Sequence, residues 1–192
     1  MTKSHVHTTY SFDELSEEAQ KTAIEKNYGW SEFTIQDAKE LGKLFGIDIT
    51  NIFFSGFSSQ GDGACFTGEY AYKAGGLKAL KEYAPQDYAL HAIVKALQEL
   101  QRKNFYRLSA NVKHRGHYYH EMCTDIQVWS ENESMGGAND DAHDGIQELL
   151  RDFMRWIYKR LESEYDYLTS EDAIKESLIS NECQFNKDGS LH

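Results

Sequence analysis

Apolar residues recur at helical spacing over two stretches near the start of the chain. Ser11-Phe12-Asp13-Glu14 has the spacing of a capping box, and Leu15, Ala19, Ala23 and Ile24 follow at three- and four-residue intervals. That pattern predicts a helix within about residues 12–27, ended by Tyr28-Gly29-Trp30. Phe33, Ala38, Leu41, Leu44 and Phe45 mark one face of a second helix. It stops at Gly46, which lacks a Cβ and so tolerates a left-handed C-terminal cap. The two read as an antiparallel pair.

The periodicity then changes. Residues 47–57 are rich in Ile and Phe, and 64–72 in aromatic and small residues, with Gly61-Asp62-Gly63 between them, which predicts a hairpin. A helical region over 76–104 is broken at Pro85, because proline donates no backbone hydrogen bond and biases Ala84 away from helix. Leu90, Ile93, Val94, Leu97 and Leu100 stripe its second part. Residues 105–113 and 117–129 are extended candidates separated by Arg115-Gly116, a second hairpin if those two form the turn. The stretch 131–144 is polar, contains Gly136-Gly137 and shows no period, so it reads as a surface loop. Ile146, Leu149, Leu150, Phe153, Trp156, Ile157 and Leu161 then define a long C-terminal helix, and Thr169-Ser170-Glu171-Asp172 opens a short last one. The sum is an α+β fold: a small antiparallel sheet of two hairpins packed against several helices. No repeat or Pro-rich linker divides the chain, so 1–192 reads as a single domain with a flexible N-terminus (1–10), the polar loop (131–144) and a polar tail (186–192).

Composition narrows the functions. With 192 residues, 40% hydrophobic and 13% aromatic, the chain can bury a sizeable core. Its 20 basic and 31 acidic residues give a net charge of -11, which repels phosphate backbones and anionic lipid, so nucleic acid and membranes are not expected partners. Cys65, Cys123 and Cys183 are odd in number and show no C-x-x-C spacing, which fits a reducing compartment. The first residues lead into polar sequence without an apolar signal core, and no stretch reaches about 18 apolar residues, so a cytoplasmic location is expected.

Two segments carry candidate chemistry. In Ser58-Ser59-Gln60-Gly61-Asp62-Gly63 the glycines let successive N–H groups converge as an anion nest. Asp62 would repel phosphate there and suits a sugar hydroxyl, a base amine or a cation, while Gln60 both donates and accepts. The plainer reading is a tight turn whose own backbone is satisfied by Asp62 and Ser59. In Asn111 to His120, a two-residue turn at Arg115-Gly116 would place His114 and His117 side by side and aim His120 at the other face. The three histidines would then not converge on a metal, and no metal or other cofactor is expected. Lys113, Arg115, Tyr118 and Tyr119 suit a phosphate and a base better, or form a solvated hairpin end.

Catalytic templates fail. Gly56-Phe57-Ser58-Ser59-Gln60 lacks the second glycine of a nucleophile elbow, His7-Thr8-Thr9 has no second copy, and neither a phosphate-loop nor an H-E-x-x-H motif occurs. No catalytic residue is assigned. Tyr165 and Tyr167, among Glu162, Glu164 and Asp166, could instead form a protein-partner surface, and the net acidity fits an inhibitor of a basic partner.

The run from Ile52 to Phe66, Ile-Phe-Phe-Ser-Gly-Phe-Ser-Ser-Gln-Gly-Asp-Gly-Ala-Cys-Phe, resembles the F-S-G-F-x-S-Q-G-D-G-A-x-F signature of a tailed-bacteriophage protein family loosely labelled antitoxin-like. Phe12 to Ser16, Asn104-Phe105-Tyr106, His114 to Tyr118, Trp156 to Tyr158, Leu161 to Tyr165 and Thr169 to Ala173 agree in order, so the resemblance spans nearly the whole chain. It implies a phage accessory protein acting in the host cytoplasm, with no catalytic residues to carry over. In that setting the expected activity is non-enzymatic sequestration of a small nucleotide-derived defence signal. Ser59, Gln60, Gly61, Asp62, Gly63, Tyr70, Tyr72, His114, Arg115, His117 and Tyr118 are its expected lining, with a homo-oligomer as one way to close the pocket. The alternatives are an antitoxin-like inhibitor of a host or phage protein, and a nucleotide hydrolase using His114 or His117 as acid or base.

Overall fold

The structure, a computed structural model, describes residues 8–27, 33–130 and 140–192. Among the described residues, six α-helices and four strands follow the order α1 (Glu17–Lys26), α2 (Phe33–Leu44), β1 (Ile47–Ser55), β2 (Gly63–Ala71), α3 (Gly76–Tyr83), α4 (Tyr88–Lys103), β3 (Leu108–His114), β4 (Thr124–Ser130), α5 (Asp140–Leu168) and α6 (Glu171–Ser180). The expected α+β fold with an antiparallel sheet and a long C-terminal helix is the fold observed.

The chain divides into two compact units, one of Met1–Ser31 with Ser163–His192, the other of Glu32–Glu162. The sequence reads as a single domain because the boundary at 162/163 falls inside the continuous helix α5, where no linker composition marks it.

In the larger unit the sheet runs β1-β2-β3-β4, every neighbour antiparallel, with α3 and α4 inserted between the two hairpins. Ile47, Ile49, Phe66, Tyr70, Leu108, Ala110, Val112 and Ile126 join one buried core with Leu41, Leu80, Leu90, Val94, Leu97, Ile146, Leu150, Phe153 and Ile157. Each fully buried aliphatic or aromatic side chain contributes about 1.5–3 kcal/mol. Phe153 of α5 is central, edge-on to Phe45 (5.2 Å) and Phe66 (5.9 Å) and stacked on Trp156 (5.6 Å). Asp48, Thr50, Glu69, Lys113, Asp125, Gln127 and Trp129 alternate with the buried strand positions and are exposed, so helices cover one face of the sheet and the other stays polar.

Local signals act as expected at several boundaries. Gly46 takes φ 96 after α2, and Pro85 lies between α3 and α4. Asp87 caps α4 by accepting from Leu90 N–H (3.0 Å), and Ser170 caps α6 by accepting from Ala173 N–H (3.3 Å). The Ser11–Glu14 capping box forms, with Ser11 N–H donating to Glu14 Oε2 at 2.8 Å, but it closes a 3-10 turn over Phe12–Glu14. Leu15 is extended and α1 begins after Ser16, whose Oγ accepts from Ala19 N–H.

Four expectations change. The second hairpin has no two-residue turn: His114 pairs with Thr124, and residues 115–123 form a longer connection ending in a 3-10 helix, Glu121–Cys123. Residues 140–144 of the expected loop are the first turn of α5, and residues 131–139 lie outside the described ones. The polar tail folds back: Phe185 bridges both Tyr10 and Leu191, and its buried ring joins Phe12, Leu15, Ala19, Ala23, Ile174 and Leu178 in the core of the smaller unit. Of the expected flexible N-terminus, residues 1–7 lie outside the described residues and Tyr10 is held in that bridge.

Candidate functional site

Because β1 ends at Ser55 and β3 at His114, the β1–β2 loop (56–62) and the β3–β4 connection (115–123) emerge at the same end of the sheet. They touch. A Cβ on Gly63 would lie 2.6 Å from the His120 Cβ and 2.7 Å from its Cα, so only glycine lets the connection close onto β2.

The loop satisfies itself. Asp62 Oδ2 accepts from Ser58 N–H (3.0 Å) and Ser59 N–H (2.6 Å), and Asp62 N–H donates to Ser59 O (3.1 Å). A Cβ on Gly56 would meet that carboxylate at 2.7 Å, and Gly61 supplies the positive φ of 93 the turn needs. This is the plainer of the two readings of Asp62: its carboxylate occupies the amides that an anion nest would offer. Phe57 stacks on Phe54 (6.1 Å) and on Tyr158 of α5 (5.6 Å), whose hydroxyl donates to Gly56 O at 3.2 Å. Burial, with the charges of Glu162 and Asp62, raises the Tyr158 pKa, which keeps that hydroxyl a donor. Ser58, Ser59, Gln60 and Gly61 remain exposed.

The connection is built on rings. Phe53, His114 and Tyr119 cluster, with centroids 5.3 Å (Phe53–His114), 5.7 Å (Phe53–Tyr119) and 5.3 Å (His114–Tyr119) apart. His114 Nε2 lies 2.9 Å from Tyr118 O, an acceptor only, so Nε2 carries the proton. His120 Nδ1 accepts from Met122 N–H (3.2 Å), which leaves the proton of the neutral ring on Nε2, 3.3 Å from Cys123 Sγ. Both rings spend an N–H on fixing the connection. Below it, Arg155 of α5 joins Glu121 (3.3 Å), Asp152 (2.7 Å) and Glu148, and these carboxylates, Asp152 first, raise its pKa further. Lys113, Arg115, His117 and Tyr118 are exposed.

Of the eleven expected site residues, Ser59, Gln60, Gly61, Asp62, Gly63, His114, Arg115, His117 and Tyr118 share this end. Tyr70 and Tyr72 do not, since they lie about 23–30 Å along from Gly63 at ~3.3 Å per residue. Tyr70 is buried (2% exposed), its hydroxyl accepts from Gln101 Nε2 at 3.2 Å, and burial pushes its pKa up to about 12. The crevice beside the two tyrosines encloses about 10 Å³, room for a water and not a nucleotide. The two-residue-turn pairing of His114 with His117 is also absent, because His114 faces Thr124. His120, expected on the opposite face, sits against Gly63 at the start of β2: it caps the 3-10 helix that precedes β4 and so lies outside strand alternation. Sequence reading named Tyr119 and His120 but missed that Phe53 stacks on His114 and Tyr119 and that Cys123 lies against His120; the aromatic run before Gly56 was the available signal for Phe53. Among the described residues, no group of three or more His, Cys, Asp or Glu is placed to hold a metal ion, and no helix is long and apolar enough to cross a membrane.

The fold and this end of it define a helix-covered antiparallel α+β protein with an aromatic, histidine-rich loop cluster. The chain belongs to the family described as domain of unknown function DUF8835, whose model matches residues 30–171. No curated protein and no solved structure matches it.

Proposed function

We propose that this protein is a non-enzymatic binder that sequesters a small nucleotide-derived signal at the loop end of its sheet, in keeping with the phage counter-defence setting its signature implies. The observation that carries the reading is the close packing of Gly63 on His120, at the end of the sheet that also carries the exposed Ser59-Gln60 edge and the Phe53–His114–Tyr119 rings. Arg115 is exposed and follows His114 directly in the chain, so phosphate and base would meet charge and stacking at this end of the sheet. Capture is favoured over cleavage because His114 and His120 use their Nε2–H groups to hold the connection, leaving neither ring poised to accept a proton at that atom. The hydrolase alternative then rests on exposed His117 or on the Nδ1 of His114.

The test is to incubate the full chain with cyclic and ADP-ribose-type nucleotides, separate bound ligand, and analyse it after heat denaturation. Recovery of unchanged ligand, with capture lost in Arg115→Ala, supports the reading. Altered ligand overturns it in favour of hydrolysis, and absence of binding to the whole panel sinks both.

A further inference from the structure

At the other end of β3 the backbone is strained where glycine would relieve it. Phe105 (φ 56) and Tyr106 (φ 62) are consecutive non-glycine residues in the left-handed region, where a Cβ crowds the following carbonyl. The surrounding bonds hold them there. Tyr106 N–H donates to Gln101 O at 2.7 Å, and Asn104 N–H lies on Leu100 O (3.2 Å) and Gln101 O (3.0 Å). The wholly buried Gln101 side chain donates to Leu108 O (2.6 Å) and accepts from Leu108 N–H (3.2 Å), clamping the end of α4 to the start of β3.

This clamp works through main chain and Gln101, and asks nothing of the aromatic rings. Yet Phe105 is 76% exposed and Tyr106 44%, the latter with its ring 4.4 Å from that of Tyr72. Arg107 sits 5.7 Å over the Phe105 ring, and Arg102 and Lys103 precede it in the last turn of α4. Those last two complement the helix dipole, but three cations in six residues also make a local positive patch on a chain of net charge -11.

We propose that Phe105, Tyr106 and Tyr72 form a rigid aromatic knob that docks into an apolar, carboxylate-rimmed pocket of a protein partner. Exposed aromatics beside arginine are the residue types that dominate protein interfaces. A knob already fixed by strain loses little freedom on binding. The cations select an acidic rim, while the net charge of the chain disfavours a polyanion such as nucleic acid. The surface is independent of the nucleotide site, which lies at the opposite end of β3.

The experiment places the photo-cross-linker p-benzoylphenylalanine at position 105 of the full chain in the cells that express it, and sequences the cross-linked peptide. The expected result is one adduct, mapped to an apolar pocket bordered by Asp or Glu, whose yield falls about tenfold or more in Arg102→Glu/Lys103→Glu. Excess wild-type protein should compete and Phe105→Gly should not. Phe105→Gly should also unfold at the same or a higher temperature, because it releases strain, and should leave nucleotide capture unchanged. No adduct, an adduct to nucleic acid or to a second copy of this chain, insensitivity to the charge reversal, or destabilisation by Phe105→Gly would each overturn the proposal.

Discussion

Gly63 lies directly against His120, so closely that a Cβ on the glycine would fall 2.6 Å from the histidine Cβ. This contact joins the first residue of β2 to the β3–β4 connection, 57 residues further along the chain, and it makes position 63 the mechanical link of the loop end.

Gly63→Ala should therefore lower stability by about 1–3 kcal/mol, the usual penalty for forcing atoms into packed space. Gly61→Ala is the control: it carries the positive φ of 93 but meets no atom within 4 Å. It should cost only about 1 kcal/mol of backbone strain. Thermal denaturation of the two variants checks the order, and nucleotide capture should weaken more in Gly63→Ala.

Asp62→Ala removes the acceptor for Ser58 and Ser59 N–H. The bonds are solvent-exposed, so the loss should be about 1 kcal/mol. The specific signature is faster hydrogen exchange at the 58 and 59 amides, with exchange in β3 unchanged.

Trp156 Nε1–H donates to Asp87 at 3.0 and 3.2 Å, while Asp87 also caps α4. Asp87→Ala loses a helix cap and strands a partly buried indole N–H, for about 2–3 kcal/mol in total. Trp156→His would not isolate the bond; Trp156→Phe removes the donor while keeping a ring on Phe153. Denaturant unfolding should give Asp87→Ala the larger loss when Asp87→Asn is run beside it as the cap-preserving control.

Burial pushes Tyr70 up to about 12 from 10.0 and Cys65 up to about 12 from 9.0, the latter assisted by neighbouring Cys123. Both pKa values are raised on folding, so the unfolded chain loses these protons first. Stability tied to them is intact below about pH 9 and declines as pH climbs to about 12. Denaturation midpoints across that window should fall, and Tyr70→Phe should flatten the part above pH 10. A midpoint independent of pH there would contradict the burial of both groups.

What the sequence determined by itself lies within short windows. Pro85 divides α3 from α4 by lacking an N–H, Gly46 ends α2 by its left-handed φ, and the stripe from Ile146 to Leu161 makes α5 because a buried face must recur with the helical period. The first hairpin was legible because Gly61 supplies a positive φ between two β-rich runs. The tertiary structure decided the rest. Arg115-Gly116 has the same local turn chemistry, yet Arg115 N–H bonds to Cys123 O, and β4 starts only at Thr124, where Ile126 and Val128 can pair with Val112 and Ala110. That register comes from burying one face of the sheet, a non-local requirement that no ten-residue window contains. The same requirement carries Tyr70 into the core and away from the loop, and brings His120 onto Gly63. Residue types therefore revealed which segments could bind, and strand pairing alone decided which of them meet.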